Sequence, residues 1–305
     1  MVPAPAAKAP PPVARAQVKR AKTTDLASRE SAWDLRKALP RRYQLPVAAG
    51  LPLLLLAVWI ALTSGEHPVV GGLFLPSPLG VLRGLASLFF RDQCDNGVCS
   101  IWQSYLLRCI AASGLRIIIS FFIAAAIALP LGILMGSWEP INRALEPILA
   151  PLRYMPISAF IPLLILWLGI GESQKIAFLF LGVFVYLLPV VVTAVRAVPE
   201  ELVQTALTLG ATRAQVIRTV LLPAALPDIF DSFRVMNAIS WTYVILAEFV
   251  NARVGLGYMI DLSGQHLKTA EVFSGILVIG FIGLGTDALI RWVNGRLFPW
   301  RESST

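Results

Sequence analysis

VPEELVQTALTLGATRAQVIRTVLLP, residues 198–223, is a polar stretch whose local chemistry can be read almost residue by residue. Pro199 suits the first turn of a helix, where its missing N–H is no loss, and Glu200 and Glu201 complement the positive end of the helix dipole. Leu202, Val203, Ala206, Leu207 and Leu209 make one apolar side. Gly210 supplies a position where the backbone can turn left-handed, and so ends that helix. Two residues on, Thr212-Arg213-Ala214-Gln215 has the T-x-x-Q form of a capping box, which opens a second short helix. That helix carries Val216, Ile217, Val220 and Leu221 on one side and Arg213 and Arg218 on the other, and Pro223 is expected to stop it. The pattern predicts a helix–glycine–helix elbow.

What flanks the elbow decides where it sits. Of the 305 residues, 56% are apolar and 14% charged, against roughly 25% charged in an average soluble domain. A soluble fold cannot hide that much apolar surface, because its exterior needs polar cover. The chain reads as an all-α polytopic membrane protein. Uncharged runs at 43–65, 117–138, 154–171 and 176–195 are long enough for a hydrocarbon core of about 30 Å. Two weaker candidates follow, 235–247 between Arg234 and Glu248, and 272–288 with Asp287 near its end. Charges there are expected to snorkel to the interface. About six transmembrane helices result, with both termini on one side.

Charge sets the orientation. The net charge is +8, and ten of the 26 Lys/Arg residues lie between Lys8 and Arg42. No aromatic-interleaved basic patch accompanies them, so no nucleic-acid partner is read. The positive-inside rule places this tail in the cytoplasm. Arg143, Arg153, Arg196, Arg213, Arg218, Arg291, Arg296 and Arg301 then fall on or near the inner side, while the short outer connections carry only Lys175, Arg253 and Lys268. The expected organisation is a Pro/Ala-rich basic tail over 1–43, largely disordered, a transmembrane domain over 44–297 and a cytoplasmic end over 298–305. No apolar run precedes residue 45, so a secretory signal peptide is not expected. A weak helical pattern at 24–39 could lie on the inner membrane face or be solvated.

The first outer connection, 66–113, is more than a loop. Phe74-Leu75-Pro76-Ser77-Pro78 is turn-rich, and an amphipathic run with Leu79, Leu82, Leu85, Leu88 and Phe89 follows. Cys94 and Cys99 flank Asp95-Asn96-Gly97-Val98, a tight-turn signal. Outside the membrane the two thiols could close a small bridged loop or stay free. Two distant histidines, His67 and His266, and three cysteines with no CxxC pair point to no metal site.

At the elbow the chain resembles the permease subunits of binding-protein-dependent ABC importers, which carry an "EAA" loop of pattern E-A-A-x3-G-x9-I-x-L-P. Gln204-Thr205-Ala206, three residues, Gly210, nine residues, then Val220-Leu221-Leu222-Pro223 keeps that spacing, with Gln, Thr and Val in place of Glu, Ala and Ile. Stretches at 74–78, 115–136, 152–171 and 243–258 look like the nitrate/sulfonate/taurine/bicarbonate branch, and the likeness covers roughly 45–295. The resemblance implies the type I ABC importer permease architecture, in which the elbow is a coupling helix seated on an ATPase subunit. Glu201, Gln204, Thr205, Ala206, Gly210, Ala211, Thr212, Val220, Leu222 and Pro223 would form it. It further implies a second permease copy, two ABC ATPase subunits or domains carrying ATP and Mg, an extracytoplasmic binding protein, and a bacterial inner-membrane location. The substrate implied is a small anion such as nitrate, bicarbonate or an alkyl sulfonate. The chain itself has no Gly-Lys dipeptide and hence no P-loop, so it is not expected to be an enzyme or to carry a cofactor.

Arg116, Trp241, Thr242, Tyr243 and Glu248 are polar or aromatic groups in or near spans and are candidates for the translocation pathway; for Trp241 and Glu248, interfacial anchoring or interhelical bonding is the competing reading. Gly275, Gly280 and Gly283 suggest close helix packing. Pro130, Pro156, Pro162 and Pro189 are expected to kink or break spans. The alternatives are an ion-gradient-driven secondary transporter, which would want inverted repeats and mid-membrane charge pairs, and an intramembrane enzyme, for which the histidines are misplaced.

Overall fold

The computed structural model describes residues 41–63, 71–90, 94–95, 98–99 and 104–299. The readings made for 1–40, His67 and 300–305 lie outside these residues. Residues 1–58 form a unit by themselves, and residues 59–305 form another. The described part of the first belongs to helix α1 (Arg41–Thr63), which continues through Pro46 and Pro52.

The second unit follows as α2 (Pro78–Phe90), the two-residue strands β1 (Cys94–Asp95) and β2 (Val98–Cys99), α3 (Tyr105–Ser137), α4 (Glu139–Leu149), α5 (Ile161–Leu168), α6 (Glu172–Arg196), α7 (Glu200–Thr208), α8 (Arg213–Val216), α9 (Leu222–Phe249), α10 (Leu256–Gln265) and α11 (Thr269–Leu297). The strands are antiparallel, with Cys94 opposite Cys99 along the backbone; the thiols themselves lie outside the described side chains. At the end of α1, Trp59 Nε1 donates to Pro76 O at 3.0 Å, and its ring lies 6.2 Å from Phe273.

Among the described residues, four helices are long and apolar enough to cross a membrane: 46–63 of α1, then α3, α6 and α11. With 28 residues α9 has the length, about 42 Å, but its polar residues, Asp228, Asp231, Arg234, Asn237 and Glu248 among them, are spread along the helix and keep it out of this set. The run at 154–171 is not one helix. Single 3-10 turns at Pro151–Arg153 and Ile157–Phe160 precede α5, and Gly169 at φ +74° ends it. Pro151, Pro156 and Pro162 each remove a donor and crowd the preceding turn, and α5 alone spans only about 12 Å. Conversely, α3 begins twelve residues before the uncharged run, because Arg108 and Arg116 are accommodated within the helix.

The bundle centre is α6, packed on α3 and α9. Ser120, Ala124, Ala128, Gly132 and Gly136 repeat every fourth residue along α3, a small-residue seam. A Cβ on Gly132 would stand 2.7 Å from Val191, and one on Gly136 2.7 Å from Val195. On the other side, Tyr243 of α9 lies over Gly182, its ring edge-on to Phe178. Gly275 packs tightly on Ile260 as expected, whereas Gly283 has only an ordinary contact with Trp241 and Gly280 has open space: Gly280 is exposed next to Phe281, whose outward side chain suits a lipid solvent. The amphipathic reading of α2 holds with a rotated face. Val81, Gly84 and Leu88 are buried against α11, and Leu79 and Leu82 are exposed.

Charges at the ends of α9 and α11 do not snorkel. Arg234 Nε meets Asp287 Oδ1 at 2.7 Å, and Arg291 meets Asp287 Oδ2 at 3.0 Å. Asn237 Nδ2 donates to Thr286 Oγ1 at 2.8 Å, and Asn294 Nδ2 to Asp231 Oδ1 at 2.6 Å. Arg234 and Asp287 satisfy one another across the facing helices, at less cost than stretching to water, and Arg291 adds a pair within α11.

Candidate functional site

The elbow forms as its sequence requires, with one correction. Pro199 caps α7; Gly210 N–H donates to Leu207 O at 3.0 Å and Ala211 N–H to Ala206 O at 3.1 Å. This is a Schellman closure, which needs a left-handed residue at Gly210, and its φ is +87°. Both halves of the Thr212–Gln215 capping box are present, Thr212 N–H reaching Gln215 Oε1 at 2.7 Å. Pro223 does not stop the second helix. The chain passes from α8 through a single π turn, Ile217–Leu221, directly into α9, and Pro223 sits in the first turn of α9. There a proline costs little, since first-turn N–H groups have no intrahelical partner.

No residue of α7 is buried, and Leu209 is 83% exposed. The side chains of Glu201, Gln204, Thr205 and Thr212 are exposed too; Gln204 Nε2 donates to Glu200 Oε1 at 2.6 Å and Thr205 Oγ1 to Glu201 O at 2.7 Å. Glu201 through Thr212 thus share one projecting segment. Val220, Leu222 and Pro223 lie on the turn that leads back into the bundle. Val203 and Leu207 of the apolar stripe face Trp138 and Val216 across a shallow recess, while Leu202 and Leu209 project outward at the Schellman corner.

About 37 Å away, at the other end of α6, the polar candidates are differently placed. Arg116 and Glu248 are both buried and 2.6 Å apart. Arg116 also forks onto Glu172, Nε to Oε2 at 2.6 Å and Nη2 to Oε1 at 2.7 Å, and its Nη1 donates to Val254 O at 2.8 Å. Glu248 accepts further bonds from Ser113 Oγ at 2.7 Å and Gly257 N–H at 2.7 Å, and Ser113 in turn accepts Leu256 N–H at 2.9 Å. Gly255, at φ +148°, leaves room for the carboxylate: a Cβ there would run into Glu248 Oε2. The knot ties α3, α6, α9 and α10 together.

Beside it opens a recess of about 490 Å3 lined by Arg116, Ile170, Gly171, Glu172, Lys175, Asn251, Ala252, Arg253 and Val254. Of the five residues read as pathway candidates, only Arg116 lines it. Glu248 stands behind Arg116; Trp241 is core, packed with Val244 and Met259 rather than at an interface; Tyr243 covers Gly182; Thr242 is exposed and donates to Ala238 O. The residues missed are Lys175 and Arg253 on the wall, and Ser113 and Gly255 in the knot. Lys175, read as part of a connection, is only 3% exposed within α6. Its i,i+3 spacing from Glu172 was the signal that α6 starts earlier.

With this geometry in hand, the pattern of the family described as binding-protein-dependent transport system inner membrane component matches residues 128–299. The chain belongs to this family. The taurine transport system permease protein of Escherichia coli is 33% identical over 261 residues, 86% of this chain and 92% of that one. An aliphatic sulfonates transport permease protein of Bacillus subtilis is 32% identical over 263 residues, 86% and 90% respectively. For fold alone, the chain is similar to the MetNI methionine ABC transporter in an inward-facing form, with TM-score 0.56 and 24% identity, over 66% of this chain and 97% of that one. This permease is therefore a non-catalytic, multi-pass membrane subunit of an ABC importer, and membership implies ATPase and binding-protein partners. It also displaces the ion-gradient and intramembrane-enzyme alternatives.

Proposed function

We propose that the chain forms the membrane pathway of an ATP-driven importer for a small oxyanion, an alkyl sulfonate before nitrate or bicarbonate. The observation that carries this reading is the uncovered elbow, held by Gly210 and the Thr212–Gln215 box at the end of the bundle opposite the cationic recess. Taurine and aliphatic sulfonates, named for the two relatives, favour the substrate class. Two copies pair in the lipid bilayer of a bacterial inner membrane, with both termini and the elbows in the cytoplasm, as the clustering of arginines on the elbow side supports. Each elbow rests on one of two ATPase subunits, which bind ATP and Mg. Closure of the ATPases draws the elbows together and opens the recess end to a binding protein outside. Hydrolysis returns the pathway to its inward-facing state.

The test is reconstitution of the chain with co-expressed ATPase and binding protein in liposomes, followed by uptake of labelled taurine. Uptake that needs ATP and the binding protein supports the reading. Uptake driven by an ion gradient without an ATPase overturns it.

A further inference from the structure

The recess opposite the elbow holds more positive than negative charge. Arg116, Lys175 and Arg253 face it against Glu172, and Glu248 behind Arg116 still leaves three cations to two carboxylates. Arg116 is satisfied within the fold, with four donor contacts already made. Lys175 is not. Its buried ammonium has Gly171 O at 3.4 Å and Glu172 Oε1 at 3.5 Å, both long beside the roughly 2.7–2.9 Å of a charge-assisted hydrogen bond. Glu172 meanwhile gives its short bonds to Arg116. An ammonium carries three donors, and burying a cation without a close counter-charge is unfavourable. Arg253 stands exposed at the rim, with no partner among the described residues. The first turn of α6, 25 residues long, opens at this wall with its unpaired N–H groups and positive dipole end. Ile170, Ala252 and Val254 supply an apolar side.

We propose that this recess is an anion-binding site of the permease, taking a small oxyanion with a short apolar stem, such as an alkyl sulfonate. Lys175 holds the oxyanion from the depth of the recess and Arg253 from the rim. Arg116, pinned by two carboxylates, is a fixed positive wall, and the apolar side takes the stem. At about 490 Å3 the space admits such an ion together with waters, each needing roughly 30 Å3. The site would receive the anion as the binding protein releases it. This assignment deepens the import reading and rests on it.

The experiment titrates sodium methanesulfonate, at constant ionic strength, into the purified full chain in lipid nanodiscs and follows the thermal unfolding midpoint. The wild type is expected to show a saturable rise. Lys175→Met, which keeps the stem in place, should weaken half-saturation about tenfold or more, as loss of one charge-assisted hydrogen bond implies. Lys175→Arg should retain most of the response, and Arg253→Gln should weaken it severalfold. Equal midpoint rises in the wild type and Lys175→Met indicate a general salt effect and overturn the proposal, as does a wild type with no saturable response, which would leave the recess to a carboxylate of a partner protein. Should Lys175→Met not fold, Arg253→Gln on the exposed rim decides, and an unchanged half-saturation there overturns the proposal. Neither ATPase nor binding protein enters this titration. A permease that binds methanesulfonate through Lys175 but imports no oxyanion faults the import reading alone; one whose Lys175→Met form keeps both its sulfonate uptake and its titration faults the site alone.

Discussion

Replacing Glu248 by alanine should be among the most damaging single changes in this bundle. Glu248 is 0% exposed and receives three donors: Arg116 Nη1, Ser113 Oγ and the Gly257 N–H. Removing one partner of a buried ion pair costs about 3–5 kcal/mol. The low end applies here, because Arg116 keeps both bonds to Glu172 and one to Val254 O. The Gly257 N–H is left without its acceptor, for about 1 kcal/mol more, whereas the Ser113 hydroxyl can rotate to a carbonyl of its own helix. The sum is about 4 kcal/mol, roughly a thousandfold in the folding equilibrium. Glu248→Gln keeps the shape but points an NH2 at a donor, and should lose about 2 kcal/mol. The double variant Arg116→Met/Glu248→Leu should recover to within about 1–2 kcal/mol of the wild type, since apolar groups of similar volume can replace a buried pair, and Glu172, 59% exposed, can hydrate once released. Equilibrium unfolding in mixed detergent micelles, followed by tryptophan fluorescence, measures each value. The reasoning fails if Glu248→Ala stays within about 1 kcal/mol of the wild type, or if the double variant is no more stable than the alanine variant.

Gly210→Val should abolish stimulation of the partner ATPase by the binding protein, and with it uptake, while the subunit still inserts. A Cβ there meets nothing within 4 Å, so the cost is the φ of +87°, about 1–3 kcal/mol and a displaced elbow; wild-type uptake would sink this. Gly136→Leu should lower the thermal midpoint through about 1–3 kcal/mol of overpacking against Val195, and an unchanged midpoint would refute the close α3–α6 seam. Arg143 first, and then Arg196, holds the Glu139 carboxyl below its usual value. A depressed carboxylate contributes above its unfolded pKa and loses that contribution as pH falls through its folded pKa. Glu139→Gln should therefore differ from the wild type at neutral pH and converge with it in acid, a small, salt-sensitive difference visible in pH-dependent melting curves.

The elbow was legible from sequence because its determinants are local. A Schellman glycine and a capping box need only neighbours within a few residues, so Gly210 and Thr212–Gln215 declare themselves in one dimension. The exception was Pro223, which reads equally as a stop or as a first-turn residue, and only the π turn before it decides. The apolar long runs were legible for a similar reason, since hydrophobic length is a property of the segment. Where 154–171 failed as a span, the prolines were visible, but whether neighbours would rescue the helix depended on packing.

The recess and its knot were not legible. Counting charge along the chain assigned Lys175 and Arg253 to outer connections and sent Glu248 and Asp287 to snorkel, because in sequence a charge near a span end has only water as its evident partner. Glu248 finds Arg116 132 residues away and Ser113 135 residues away, and no periodicity carries that pairing. Sequence by itself determined that this is a helical membrane protein with a helix–glycine–helix elbow, since hydrophobic run length and capping geometry are local quantities. Tertiary structure alone decided which charges are spent within the fold and which are left facing a cavity, because the electrostatics of a buried ion depend on what lies within a few ångströms of it in space.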